Sequence, residues 1–144
     1  MPRATLRPGL THEFRYRVPK EHTVPYLYPE AEAFQDMPEV FATGFMVGLL
    51  EWTCVQLLME HLDWPDEQSL GTLVECTHEA ATPPGLEVTV NATLVEVDGR
   101  RLRFDLWAHD GVDTISRGSH ERMIVDRARF LSRVQTKADS AREA

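Results

Sequence analysis

Residues 44–62, GFMVGLLEWTCVQLLMEHL, contain no proline, and polar side chains interrupt them only at Glu51, Thr53, Gln56, Glu60 and His61. This pattern predicts a helix from Gly44 to about Leu62, closed by the stretch LDWPDEQS. About 18 residues at 1.5 Å rise give a helix roughly 27 Å long. A helix that is apolar nearly all round is buried on most sides. The rest of the chain must therefore supply something that wraps it. The longest wholly apolar run, Phe45 to Leu50, is far too short to span a membrane.

What surrounds this segment reads as strands. THEFRYRV (11–18) alternates Phe14, Tyr16 and Val18 with polar residues and forms a first strand. SLGTLVECTHEA (69–80) is the second, and TPPG (82–85) is a turn. LEVTVNATLVEV (86–97) puts Leu86, Val88, Val90, Ala92 and Leu94 on one face. DGR (98–100) makes a hairpin turn. RLRFDLWAHD (101–110) follows, with Leu102, Phe104, Leu106 and Ala108 inward. A DG turn (110–111) leads into a last strand over 112–126, with a bulge expected at Gly118. The tail from about 127 is charged, and helical or frayed.

One strand, one long apolar helix and four antiparallel strands imply an α+β chain, in which a curved antiparallel sheet wraps a central helix. This is the hot-dog architecture, expected here as a single domain over residues 1–144. A lone sheet leaves an edge strand and an uncovered face, so a homodimer is expected.

Residues 19–40, PKEHTVPYLYPEAEAFQDMPEV, hold four prolines together with Tyr26, Tyr28 and Phe34. The segment is too irregular for one regular element and too aromatic for a spacer. Long loops in compact domains often cover sites, and a lid is expected here. The formal net charge of -8 argues against nucleic acid as a partner, because phosphate contacts need clustered Lys and Arg. A local basic patch remains at Arg100, Arg101 and Arg103. The two cysteines, Cys54 and Cys76, lie in apolar segments and read as buried thiols. The N-terminus has no signal-peptide core. A reducing cytoplasm is the expected setting, with no membrane partner.

Three side chains are candidates for chemistry. Glu51 stands alone in its apolar run. A carboxylate there either reaches the helix's one wet stripe, pairs with an arginine, or is desolvated and reactive. It lies seven residues after Gly44, about 10 Å along the axis, so it cannot share a reaction centre with its own helix start. It could meet a partner's helix start across a dimer. Thr43 falls at the expected N-cap, where a hydroxyl is commonly just a cap; in a site it would join a hydrogen-bond relay. Gly44 beside it leaves the first helical N–H groups open to a carbonyl oxygen. His78, in CTHEA, is a surface or hydrogen-bonded strand histidine, or a base. The six histidines show no metal-ligand spacing, and no GxSxG, phosphate-loop or GxGxxG motif occurs. Spacing alone stops at a hot-dog-like domain with a carboxylate on its helix.

FATGFMVGLLEW, SLGT, THEAATPPGLEVTV, GRRL, AHDGVD and GSHER together closely resemble the fluoroacetyl-CoA thioesterase family, over about residues 12–130. The resemblance implies a dimeric hot-dog hydrolase with a Thr/Glu/His catalytic set, here Thr43, Glu51 and His78. It implies a glycine near the thioester, here Gly71, and an arginine implicated in binding, here Arg122. Glu51 would attack the thioester carbonyl or activate water in a dry pocket, Thr43 would orient it, and His78 would shuttle protons. An acyl-CoA is the implied partner, with no metal and no cofactor beyond the coenzyme A of the substrate itself. The family's lid carries two phenylalanines three residues apart that close over the acyl group. Phe34 matches the first, but Met37 stands at the second. Two other functions compete with fluoroacetyl-CoA hydrolysis. One is hydrolysis of another small acyl-CoA without fluorine selectivity. The other is a non-catalytic acyl-CoA-binding hot-dog domain, which would not need Thr43, Glu51 and His78 together.

Overall fold

A computed structural model of the chain describes residues 2–143. Five antiparallel strands form one sheet: β1 (Thr11–Arg17), β2 (Glu67–Cys76), β3 (Glu87–Asp98), β4 (Arg101–His109) and β5 (Thr114–Asp126). Their order across the sheet is β1-β3-β4-β5-β2, so β1 and β2 are the edges. A short helix α1 (Glu32–Gln35) lies in the segment between β1 and the long helix α2 (Thr43–Met59). A third helix, α3 (Arg127–Glu143), continues from β5 and has no buried residue. This is the expected hot-dog arrangement.

The core forms where α2 meets the inner face of the sheet. Met46, Leu49, Leu50, Cys54, Leu57 and Leu58 of α2 are buried against Val88, Val90, Ala92 and Leu94 of β3, together with Leu102, Phe104, Leu106 and Ala108 of β4. The strand alternation anticipated those sheet residues; only Leu86, just ahead of β3, is no more than half-buried. Each buried Leu or Met side chain contributes about 1.5–3 kcal/mol relative to exposure. The sheet covers only one side of the helix, however. Thr43, Gly44, Gly48 and Trp52 are exposed, while Val47, Glu51 and Val55 are half-buried. The expectation of a helix buried on most sides is not met within one chain.

Three details differ from expectation. The helix stops at Met59 rather than Leu62, where the His61 N–H turns back to Leu58 O at 2.8 Å, and the carbonyls just beyond it are taken from outside. The Arg3 guanidinium donates to Glu60 O, and the Arg3 N–H donates to His61 O, both at 3.0 Å. Strand β2 ends at Cys76, so His78 lies just beyond it. The segment stays extended there, as Thr77 and Glu79 still donate to Arg117 O and Ile115 O. Gly118 is not a bulge. It pairs regularly with Cys76 and with Leu106. The register shifts fall instead between Gly71 and Leu73, between Leu94 and Glu96, and between Ala108 and His109.

Gly118 is a glycine because β2 runs too close beside β5 there for a side chain. A Cβ there would collide with the backbone oxygen of Glu75 and stand 2.7 Å from the Cys76 Cα. Backbone cannot swing aside as a side-chain end can. Gly118→Ala is expected to destabilise the fold by about 1–3 kcal/mol, the usual cost of overpacking. An unchanged Tm in a thermal melt would show that β2 slides at little cost.

The segment 19–40 is tied off at its base. Val24 N–H donates to Val40 O, Ala42 N–H donates to His22 O, and Thr23 bridges Phe41. The loop so closed lies against the start of α2. A Cβ on Gly44 would be 3.1 Å from the Leu27 Cδ2 atom. Among the described residues no helix is long and apolar enough to cross a membrane.

Candidate active site

The predicted side chains assemble into two groups on one chain. The first centres on Thr43 and His78. Thr43 is not the N-cap. Ala42 takes that place with extended ψ of 139° and no side-chain capping bond, and Thr43 is the first helical residue. Alanine is a poor N-cap, costing about 1 kcal/mol relative to Ser or Thr. The Thr43 hydroxyl is thereby released from capping, and its Oγ1 shares a 2.7 Å hydrogen bond with His78 Nδ1. Burial pushes the His78 pKa below its ordinary value, favouring neutral imidazole.

His78 Nε2 is buried and has no hydrogen-bond partner among the described residues, and the same is true of Ser116 Oγ. The ladder-like bonds of Thr77 and Glu79 place these two residues opposite one another. Val24, Val40 and Phe41 wall a cavity of 260 Å³ beside Thr43 and His78. The site end of this region is braced from below. Phe41 N–H donates to Thr82 O at 2.8 Å, and the Thr82 hydroxyl donates to Asp110 Oδ2 at 2.9 Å.

The second group centres on Glu51. Its carboxylate is not buried in a dry pocket within the chain; the side chain is 40% exposed. One oxygen, Oε2, accepts a hydrogen bond from Arg122 Nη1 at 3.0 Å. The other, Oε1, has no partner among the described residues. Arg122 itself is 5% exposed. Its Nε donates to Ser69 Oγ and its Nη2 to the Ser69 carbonyl, both at 2.8 Å. Its Nη1 also reaches His120 Nε2 at 3.0 Å. Arg122 thus spends its donors on protein partners and points at Glu51.

Gly71 completes this group. A Cβ there would stand 3.0 Å from Glu51 Oε2 and 3.1 Å from His120 Cε1. Beneath them lies Cys54, whose pKa burial pushes up to about 12. That thiol is inert at neutral pH.

His120 and Ser69 are site residues that the sequence reading missed. A signal was present for the first. On a strand, residues two apart share a face, so His120 must accompany Arg122 inward. Ser69 carried no such mark. Phe34 and Met37 join neither group. Phe34 stacks on Tyr28 with ring centroids 6.3 Å apart. Met37 is 46% exposed and lines a separate 390 Å³ hollow with Pro25, Tyr26, Pro29 and Gln35. Among the described residues no cluster of three or more His, Cys, Asp or Glu side chains is placed to hold a metal ion.

The sequence profile of the fluoroacetyl-CoA-specific thioesterases, FlK, matches residues 22–128, a span that holds every residue of both groups. The chain belongs to the fluoroacetyl-CoA-specific thioesterase family. The fluoroacetyl-CoA thioesterase of Streptantibioticus cattleyicolor is 54% identical over 127 residues, 88% of this chain and 89% of that protein. A solved structure of the fluoroacetyl-CoA thioesterase FlK superposes with a TM-score of 0.89 at 51% identity, covering 92% of this chain and 97% of that one. A variant of FlK solved with fluoroacetate and CoA matches at 52% identity and a TM-score of 0.84, covering 87% and 99%. A thioesterase-superfamily protein from Thermus thermophilus shares the fold alone, with a TM-score of 0.85 at 24% identity over 98% and 99% of the two chains.

Proposed function

We propose that this member of the family hydrolyses fluoroacetyl-CoA to fluoroacetate and coenzyme A, at composite sites between the two protomers of a homodimer. The observation that carries this reading is the Glu51 carboxylate, pinned through one oxygen by a buried arginine and open at the other. A carboxylate held this way has one fixed direction in which to act. Its free oxygen serves the thioester carbonyl directly, or a water that attacks it.

Neutral His78, hydrogen-bonded to Thr43, is suited to accept and pass on a proton. The uncapped N–H groups at the start of α2, or that of Gly71, suit the oxyanion. Coenzyme A leaves as a thiolate and needs little help. Thr43 would then act on the carboxylate of the other protomer, since within one chain it bonds His78.

Support for the dimer comes from what the single chain leaves open. The edge of β2 exposes Gly71 to Glu75, with Leu73 at 39% and Val74 at 37%. Val47 and Val55 flank Glu51 on the uncovered side of α2. A second copy laid against this side would exclude water from Glu51 and bring in a second helix start. It would also give the exposed loop 19–40 something to close over, as a lid.

Fluorine makes the acyl carbonyl more electrophilic and the α-hydrogens more acidic, so part of the selectivity is chemical. The rest depends on how well the lid fills the acyl end. A thioether chain excludes water less completely than an aromatic ring. Wild type is therefore expected to favour fluoroacetyl-CoA over acetyl-CoA, and Met37→Phe is expected to widen the ratio of kcat/KM without abolishing turnover. The test is a hydrolysis panel of acetyl-, fluoroacetyl-, propionyl- and phenylacetyl-CoA with released thiol measured, in both variants. Equal rates on acetyl- and fluoroacetyl-CoA in wild type would remove the fluoroacetyl assignment and leave only a thioesterase. An unchanged ratio in Met37→Phe would place selectivity with the catalytic residues and the fluorine itself.

A further inference from the structure

We propose that His120 is a positioning residue of this site: a neutral imidazole with its proton on Nδ1, which accepts a hydrogen bond from Arg122 and so aims the guanidinium at Glu51. The role rests on Glu51 as the reacting carboxylate. The protonation state rests only on the geometry around the ring.

That geometry allows one state. His120 Nδ1 lies 2.8 Å from the Leu73 carbonyl oxygen, which can only accept, so Nδ1 must carry a hydrogen. Nε2 lies 3.0 Å from Arg122 Nη1, which can only donate, so Nε2 must be bare. An imidazolium would set two donors against each other, and the opposite tautomer would do so at one nitrogen while pairing two acceptors at the other. Free histidine in water favours the hydrogen on Nε2, so the fold selects the less common form. The side chain is fully buried, which opposes a charge on it.

Local structure is built around this ring. The shift in register between Gly71 and Leu73 occurs directly beside it and brings the Leu73 carbonyl to Nδ1. Such irregularities commonly re-aim groups next to active sites. Gly71 leaves room for Cε1, where a Cβ would be only 3.1 Å away. Arg122 Nη1 carries two hydrogens, one for His120 and one for Glu51. With Nε and Nη2 fixed by Ser69, these two bonds set the last freedom of the guanidinium. Ring packing alone is a lesser demand. His120 lies 6.4 Å from Phe104, centroid to centroid, a contact that any ring can make.

The experiment combines one spectrum with two variants. In ¹⁵N NMR of histidine-labelled wild type at neutral pH, His120 should show a protonated Nδ1 and a bare Nε2. A hydrogen on Nε2, or an imidazolium, would overturn the proposal whatever the variants do. His120→Phe keeps a ring against Phe104 and removes the acceptor. Losing a hydrogen bond to a charged group costs about 1.5–3 kcal/mol, equivalent to a fall of about 10- to 150-fold in kcat, with KM for fluoroacetyl-CoA nearly unchanged.

His120→Gln supplies an amide oxygen for Arg122 and an amide N–H for Leu73, and should restore kcat toward wild type. If His120→Phe folds and turns over at the wild-type rate, or if Gln and Phe are equally impaired, positioning is excluded. If His120→Phe does not fold, the tautomer seen in wild type decides. Failure of the Glu51 assignment would be recognised separately, because it leaves the His120 spectrum untouched.

Discussion

Glu51→Gln is expected to lower kcat for fluoroacetyl-CoA by about 100- to 10,000-fold, the range usual for loss of a positioned base. The amide has the shape of the carboxylate and can still offer an oxygen to Arg122, but it can neither take a proton from water nor attack a thioester. The protein should still fold, because Arg122 keeps Ser69 and His120 as partners. Steady-state kinetics with a circular dichroism spectrum separates the two effects. Turnover near the wild-type level in a folded Glu51→Gln protein would remove Glu51 from the chemistry. His78→Ala should also be severe, and Thr43→Ala milder, since water can partly replace a hydroxyl that only orients. Were Thr43→Ala the most damaging of the three, the hydroxyl would be the nucleophile.

Much of this was legible in the chain itself. The apolar run around Glu51 demanded a wrapping sheet, and period-two alternation identified the inward faces of β3 and β4 residue by residue. The resemblance placed Thr43, His78, Glu51, Gly71 and Arg122, and the fold brings them together in two clusters. What stayed hidden depends on three-dimensional packing. Thr43 looked like a cap because a hydroxyl before a helix usually is one; only the position of His78 shows why Ala42 caps instead. Gly118 looked like a bulge because strand glycines often mark one, yet its cause is the close approach of paired β2, a contact between segments more than 40 residues apart in sequence. Arg122 was expected to bind substrate, and nothing in the sequence announced its four bonds to Ser69, His120 and Glu51. The helix ends early in a tight turn, His61 N–H to Leu58 O, which the apolar run to Leu62 does not announce.

The central claim is that each site takes Glu51 from one protomer and Thr43 with His78 from the other. Eight residues of helix separate Thr43 from Glu51, roughly 12 Å along the axis, too far to act on one carbonyl from the same chain. In a two-fold dimer the same separation produces two equivalent composite sites. Mixing two inactive variants tests this directly. Equal amounts of Glu51→Gln and His78→Ala chains are unfolded together, refolded and assayed. In a mixed dimer one composite site carries both substitutions and the other carries neither. With random pairing, half the dimers are mixed and each has one intact site, so about a quarter of wild-type activity should return. If the refolded mixture, shown to contain mixed dimers, is no more active than the two variants refolded apart, then each site lies within a single chain and the composite account is wrong.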